Sequence, residues 1–321
     1  MRSFLRAKNA NLLFLALFFS LICCKATNAN NISPEAEKYL KEVLALLKKE
    51  SVNRNKINWD NFGAEVFRVA QNSQTIKDTY PAVSYAIAQL KDNHSYFARA
   101  IEEEGNTEEK ALPTLEDEKT PASIGYIRIP FCMGDERQTE QYIKRIAEKI
   151  DQQNNPQIKG WIIDLRDNFG GNMWPMMASI GSFLDTGTQG YFLNADNIAV
   201  EWRYASGKAY FDTVMLAENK HCISLFGKNR IAVLINNKTA SSGEAMAVLF
   251  KGYSNAKFFG IPTFGVSTGC KSFSLSDGSR INLATSVFAD RNKIKYGASI
   301  VPDFPCSEKE TFGAAIKWLE N

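Results

Sequence analysis

The chain has 321 residues, 45% of them apolar and 23% charged, the profile of a globular protein and not of a disordered or collagen-like one. Thirty-eight Lys plus Arg against 35 Asp plus Glu leave a formal charge of +3, too little for a protein that binds by neutralising nucleic-acid phosphates. Only two histidines occur, His94 and His221, so an imidazole-dependent mechanism has two candidates and no multi-histidine metal site is expected.

In chain order, residues 1–24 read as an export signal. Arg2, Arg6 and Lys8 precede an uncharged apolar run at 12–22 that is too short to span a bilayer comfortably. Two processing points compete. In one, Leu21-Ile22-Cys23-Cys24 is a lipoprotein-type box and Cys24 becomes the acylated N-terminus; in the other, Thr27 and Ala29 are the small residues before an ordinary cleavage site. The protein is therefore expected to be exported, and to be periplasmic, lipid-anchored in the envelope, or secreted, touching a membrane only through such an anchor. Loss of the leader removes three positive charges, which argues further against nucleic acid.

Residues 33–100 predict a small N-terminal helical subdomain. Ser33-Pro34 is an N-cap and N1 pair, followed by apolar residues at helical spacing (Tyr39, Leu40, Val43, Leu44, Leu47), then by Phe62, Val66, Phe67 and, after Pro81, by Val83, Ala86, Ile87 and Leu90. Residues 101–121, rich in Glu, Thr and Lys, predict an exposed linker. From 122 to 321 strands alternate with helices. Strands are expected at 123–129, 160–165, 231–236 and 256–259, and helices at 139–150, 175–184, 243–253 and 311–319. Residues 271–275 and 280–288 form a hairpin about Asp277-Gly278, and the stretch 186–210 reads as loops. Continuous apolar strands between helices mean an α/β core with its sheet covered on both faces.

Cys132, Cys222, Cys270 and Cys306 follow the leader. Export permits disulfides, and Cys270 with Cys306 is the first of the pairings to expect. No C-x-x-C spacing indicates a zinc or thioredoxin-like site, and no cofactor or metal is implied.

Three segments place small or polar residues at the end of an element, where α/β folds build sites. Asp164-Leu165-Arg166-Asp167-Asn168-Phe169-Gly170-Gly171 offers unobstructed backbone N–H groups to an oxyanion, or is simply a tight turn. Thr239-Ala240-Ser241-Ser242-Gly243-Glu244 exposes a serine hydroxyl at a helix start, or is a capping box between Ser241 and Glu244. Leu90-Lys91-Asp92-Asn93-His94-Ser95 puts a histidine where a helix ends, as a base or as a partner of the last carbonyls. His221 beside Cys222 reads as a surface residue, and Gly207-Lys208 lacks the rest of a phosphate loop.

Together these segments, with Gly-Tyr-Ile-Arg-Ile at 125–129, Thr-Phe-Gly at 263–265 and Ile-Val-Pro-Asp at 300–303, resemble the serine peptidases that include the C-terminal (tail-specific) processing peptidases and the tricorn core protease. The resemblance spans roughly residues 35–305. It implies a crotonase-like (ClpP/crotonase-type) α/β catalytic core and hydrolysis of peptide bonds in a peptide or unfolded protein. Ser241 is then the nucleophile, and Ser242 with Gly170 or Gly171 supplies the oxyanion N–H groups. The lysine that the processing branch places just after Thr-Phe-Gly is Val266 here, and Ser267 and Thr268 offer no amine. The tricorn-like branch instead uses a histidine from the N-terminal side, which is His94. A serine precedes that histidine in the family; here Asn93 does, and Ser95 follows. The family's orienting glutamate has no counterpart at 293–300, which leaves Asp290 as the expected third member and Asp92 as a weaker one. No peptide-docking PDZ module fits between the helices and the core. The rival expectation is a non-catalytic peptide- or ligand-binding protein that keeps the peptidase fold. Nothing in the pattern fixes an oligomeric state.

Overall fold

A computed structural model describes residues 31–100, 112–115, 117–227 and 229–321. The expected leader and its Cys24 lie outside these residues. Of the expected linker, residues 112–115 and 117–121 are described; they form neither helix nor strand, and Leu112 and Leu115 pack against the main core.

Three helices open the chain. The first, α1 (Pro34–Glu50), is capped as expected by the Ser33 hydroxyl, which accepts the Ala36 N–H at 3.2 Å. It is followed by α2 (Trp59–Val69) and α3 (Tyr80–Gln89). Their apolar faces do not close on each other alone. Tyr39, Leu40 and Leu47 of α1 and Val83 and Ile87 of α3 share one core with Leu275, Ile281 and Leu283, residues of the later hairpin. Two tyrosines fasten the helices to the hairpin turn: the Tyr80 hydroxyl donates to Asp277 (2.7 Å), and the Tyr39 hydroxyl lies 2.8 Å from Ser279 Oγ.

After β1 (Tyr96–Ala98) come β2 (Ile124–Arg128), α4 (Glu136–Gln153), β3 (Gly160–Asp164) and α5 (Met173–Ser179). Then follow β4 (Gly187–Asn194), β5 (Ala199–Ala205), β6 (Lys208–Phe211), β7 (Val214–Glu218), β8 (Arg230–Ile235), α6 (Ser242–Lys251) and β9 (Ala256–Gly260). The chain ends with β10 (Thr268–Ser274), β11 (Arg280–Asp290), β12 (Phe304–Pro305) and α7 (Glu308–Glu320).

A parallel sheet runs in the order β12-β9-β8-β3-β2. Because side chains alternate along a strand, its buried runs serve two faces. Trp161, Ile163, Ile231, Val233 and Ile235 face a core shared with α4, α5 and α6, while Ile162, Ala232 and Leu234 face Ala315 and Leu319 of α7. The expected cover on both faces is therefore present.

The second sheet is antiparallel, β1-β11-β4-β5-β6-β7, with β10 paired to β11 as the predicted hairpin. Its meander corrects the expectation of loops at 186–210. The signal was there in period two: Val200, Trp202 and Tyr204 alternate with Glu201 and Arg203, and the inner face buries Trp202 and Tyr204. The disulfide expectation is also corrected, since all four described cysteines are free thiols.

Candidate active site

The parallel strands β3 and β8 are neighbours, and the turns at their C-terminal ends meet. Asp164, fully buried, is held by the Arg166 guanidinium (2.9 and 2.6 Å) and by the Tyr126 hydroxyl (2.8 Å), so its charge is paired as burial requires. That fixes the start of the glycine turn. Asn168, also fully buried, governs its course. Its Nδ2 donates to the Ile129 and Pro130 carbonyls, its Oδ1 accepts the Gly170 N–H at 3.0 Å, and its backbone carbonyl accepts the Ala240 N–H at 2.9 Å.

Gly170 then lies against the serine turn. A Cβ there would stand 2.9 Å from Ser241 Cβ and 3.2 Å from the Ser242 nitrogen. Gly171 has φ of +107°, and a Cβ would meet the Cys132 carbonyl oxygen at 2.0 Å, so only glycine fits. The expectation of either glycine as oxyanion donor is thereby narrowed. The Gly170 N–H is taken by Asn168, whereas those of Gly171 and Ser242 have no acceptor among the described residues. The Ser242 hydroxyl donates to the Gly171 carbonyl at 2.5 Å and ties the two together.

Ser241 precedes α6. Glu244 makes its half of the expected capping box, accepting the Ser241 N–H at 3.0 Å. The backbone of Ser241 is not that of an ordinary cap, however, with φ of 52° and ψ of −119° where caps are extended. Such a conformation in a non-glycine residue costs about 1–3 kcal/mol and recurs where a side chain is thrust into a site. Glu244 offsets part of that cost. Fully buried, it also accepts from the Thr263 hydroxyl (2.5 Å) and from the N–H groups of Gly265 (3.0 Å) and Val266 (2.9 Å). Burial outweighs these donors and holds its carboxyl above the usual range.

His94 reaches the same cavity from the far end of the chain. Lys91 and Asn93 are left-handed (φ 56° and 57°), and between them the Asp92 carboxylate accepts the N–H groups of His94 (2.9 Å) and Ser95 (2.7 Å) and the Ser95 hydroxyl (2.7 Å). Ser95 Oγ in turn accepts the Ala284 N–H at 2.9 Å, binding the loop to β11. His94 Nδ1 then stands 2.7 Å from Thr268 Oγ1. Burial pushes the imidazole below its usual pKa, against the opposing charge of Asp92 and the bond at Thr268.

His94, Ser241, Ser242, Gly171 and Thr268 line one cavity of about 470 Å³, and no lysine is among its walls. Asp290 is not in this group. It is buried in its own turn, accepting from the Asn292 and Ile294 N–H groups and the Tyr296 hydroxyl, while the imidazole partner is Thr268. His221 is exposed and lies outside the cavity. Thr268 is the residue that sequence reasoning passed over, because an amine, and not a hydroxyl, was sought there in place of the family's lysine. Among the described residues no group of His, Cys, Asp and Glu is placed to hold a metal ion, and no helix is long and apolar enough to cross a membrane.

Residues 123–306 match Peptidase family S41. The chain belongs to this family. As a family S41 member it is a serine peptidase, and its site combines a strained serine, a half-buried imidazole and two free N–H donors. It is 25% identical to the nisin-resistance protein of Lactococcus lactis subsp. lactis over 295 residues, 90% of this chain and 89% of that protein. It is also 30% identical over 175 residues to the carboxy-terminal processing protease CtpA of Bacillus subtilis, a match that covers 54% of this chain but only 33% of that one. Among solved structures, a lipoprotein from Streptococcus agalactiae shares the fold of this S41 peptidase with a TM-score of 0.68, at 23% identity, over 90% of this chain and 97% of that one. The photosystem II D1 C-terminal processing protease does so with a TM-score of 0.58, at 13% identity, over 89% and 97%.

Proposed function

We propose that this S41 peptidase is an exported endopeptidase that cleaves peptides or unfolded proteins through a Ser241 acyl-enzyme. The observation that carries the reading is that His94 and Ser241, 147 positions apart, face one cavity together with the free N–H groups of Gly171 and Ser242. Thr268 engages Nδ1 of His94, which leaves Nε2 to act on the serine. Ser241 Oγ attacks the carbonyl carbon as its proton passes to Nε2; the two N–H groups take the charge that develops on oxygen. The C–N bond breaks, the leaving amine takes the proton from His94, and water then releases the acyl group by the same route. In this reading the parallel sheet and the antiparallel meander make up a crotonase-like core, and residues 33–100 a helical unit that delivers the base. The leader-like N-terminal sequence supports an envelope location, as does the description of the S. agalactiae structure as a lipoprotein.

A second reading concerns the role, not the chemistry. One relative, matched over 90% of this chain and 89% of its own length, is named for nisin resistance. On that reading the peptide cleaved is an external agent that the cell resists, not one of its own proteins.

The test uses the mature protein with a fluorophosphonate probe and with casein, beside Ser241→Ala and His94→Ala. Labelling and cleavage are expected in the wild type only. Labelling that survives Ser241→Ala overturns the assignment, and a folded wild type that neither labels nor cleaves points to the non-catalytic binding protein.

A further inference from the structure

A second cavity of about 370 Å³ adjoins the first. The two share Trp174, Phe192, Gly269 and Cys270 as a common wall, and Gly269 directly follows Thr268, the residue bonded to His94. One side is apolar. Trp174, Phe192 and Phe211 pack edge to face or tilted, with ring centroids 5.9–6.4 Å apart, and Val200 and Ile198 extend the surface. All three rings are only half-buried, and Ile198 is 63% exposed. Apolar surface left open inside a cleft is surface that gains from an apolar occupant, at roughly 25 cal/mol per Å² covered.

Across from it the wall is polar: the Lys271 side chain is exposed to solvent, and most of the other polar groups are already engaged. Arg54 is paired with Asp196, Glu50 lies 3.3 Å from Lys49, and the hydroxyls of Thr285 and Ser286 are directed at the Gly269 carbonyl. The chamber therefore presents neither an uncompensated buried charge nor a free buried hydroxyl to a guest. Its position directly beside the cavity of Ser241 selects the guest, which is part of the chain being cut.

We infer that this chamber is a substrate subsite that takes one bulky apolar side chain, aromatic or branched aliphatic, of a residue near the scissile bond. The inference rests on the proposed Ser241 peptidase and names the substrate class for that site. The end of α1 and the turn after it form part of its wall, through Glu50 and Arg54. Val200 and Ile198 are specificity-determining residues and play no part in the chemistry.

The experiment measures kcat/KM over a peptide library that varies one position at a time, for the wild type, Val200→Trp and Ile198→Asp, with fluorophosphonate labelling of Ser241 in each. The wild type should prefer Phe, Trp, Leu or Ile over Ala at one position. Val200→Trp, by filling the chamber, should lower kcat/KM for the bulky substrates about 10- to 100-fold and leave the alanine substrate within about two-fold. Ile198→Asp, at an exposed position where folding is not at stake, should weaken the same preference about ten-fold. Labelling retained in both variants with the preference unchanged overturns the subsite alone, as does a labelled wild type with no bulky apolar preference. Absence of labelling in the wild type overturns the peptidase reading, and the subsite with it.

Discussion

His94 and Thr268 are joined through Nδ1 and Oγ1 at 2.7 Å, a contact that brings the loop before β1 onto the first residue of β10. In most triads a carboxylate fills this place. A neutral hydroxyl can accept the Nδ1 proton and fix the tautomer, but it adds no negative charge to stabilise the imidazolium. The contribution is that of one hydrogen bond, about 1 kcal/mol.

Thr268→Val keeps the shape and removes the hydroxyl. It should lower kcat/KM about three- to ten-fold, and Thr268→Ser should recover most of the loss. Steady-state kinetics on the two variants decide the point. Full activity in Val with a loss in Ser would mean that the methyl group's packing, and not the hydroxyl, is what matters at this position.

The acid limb of kcat/KM follows from the environment of His94. Only the neutral imidazole accepts the serine proton. Burial disfavours the charged form, so activity should persist below the ordinary histidine value of about 6.5. The Asp92 charge works in the opposite direction. Asp92→Asn, which preserves an oxygen acceptor for the two backbone N–H groups, should therefore move the midpoint of the acid limb lower still. A pH–rate profile of each protein checks the sign, and an upward move in Asp92→Asn would contradict the assignment of the limb to His94.

The parallel core was legible in the sequence because buried strands such as 160–164 and 230–235 are continuous apolar runs bounded by turn residues, and the hairpin because Asp277-Gly278 marks its turn. Ser241 and His94 were legible for another reason, the scarcity of histidine and the short motifs around each. What the sequence hid is what depends on contacts over long separations. Asp290 and Thr268 lie on paired strands, and nothing local says that one carboxylate turns into its own loop while a hydroxyl 22 residues earlier meets the imidazole. The choice between Gly170 and Gly171 was hidden in the same way, since it depends on which N–H Asn168 captures.

The free thiols carry a simple consequence. With Cys132, Cys222, Cys270 and Cys306 unpaired, no cross-link among them contributes to stability. Thermal unfolding with and without dithiothreitol should give the same Tm. Cys132 and Cys270, whose thiols burial pushes up to about 12, should resist alkylation at pH 8 in the folded protein and react once it is unfolded. A fall in Tm of several degrees on reduction would indicate a disulfide.

Glu244 links Ser241 to the segment that follows Thr263, and it does so from a position with no solvent exposure. One oxygen accepts from the Ser241 and Val266 N–H groups, the other from the Thr263 hydroxyl and the Gly265 N–H. Glu244→Ala removes the only described acceptor for several of these donors and opens a cavity beside the strained serine. Each buried donor left unmatched costs about 1–3 kcal/mol, so the total loss should reach about 3 kcal/mol or more, read by chemical denaturation. Activity should fall further than the fraction unfolded explains, because the conformation that presents Ser241 Oγ is held by the same carboxylate. Thr263→Val provides the comparison. It deletes one of the four bonds and also strands the buried Ile300 N–H, which Thr263 Oγ1 accepts at 2.7 Å, so it should cost about 2–3 kcal/mol; it leaves the Ser241 N–H bond in place, so fluorophosphonate labelling of the folded fraction should proceed at close to the wild-type rate. Equal labelling rates for Glu244→Ala and Thr263→Val, measured on the folded fraction, would confine Glu244 to a structural role.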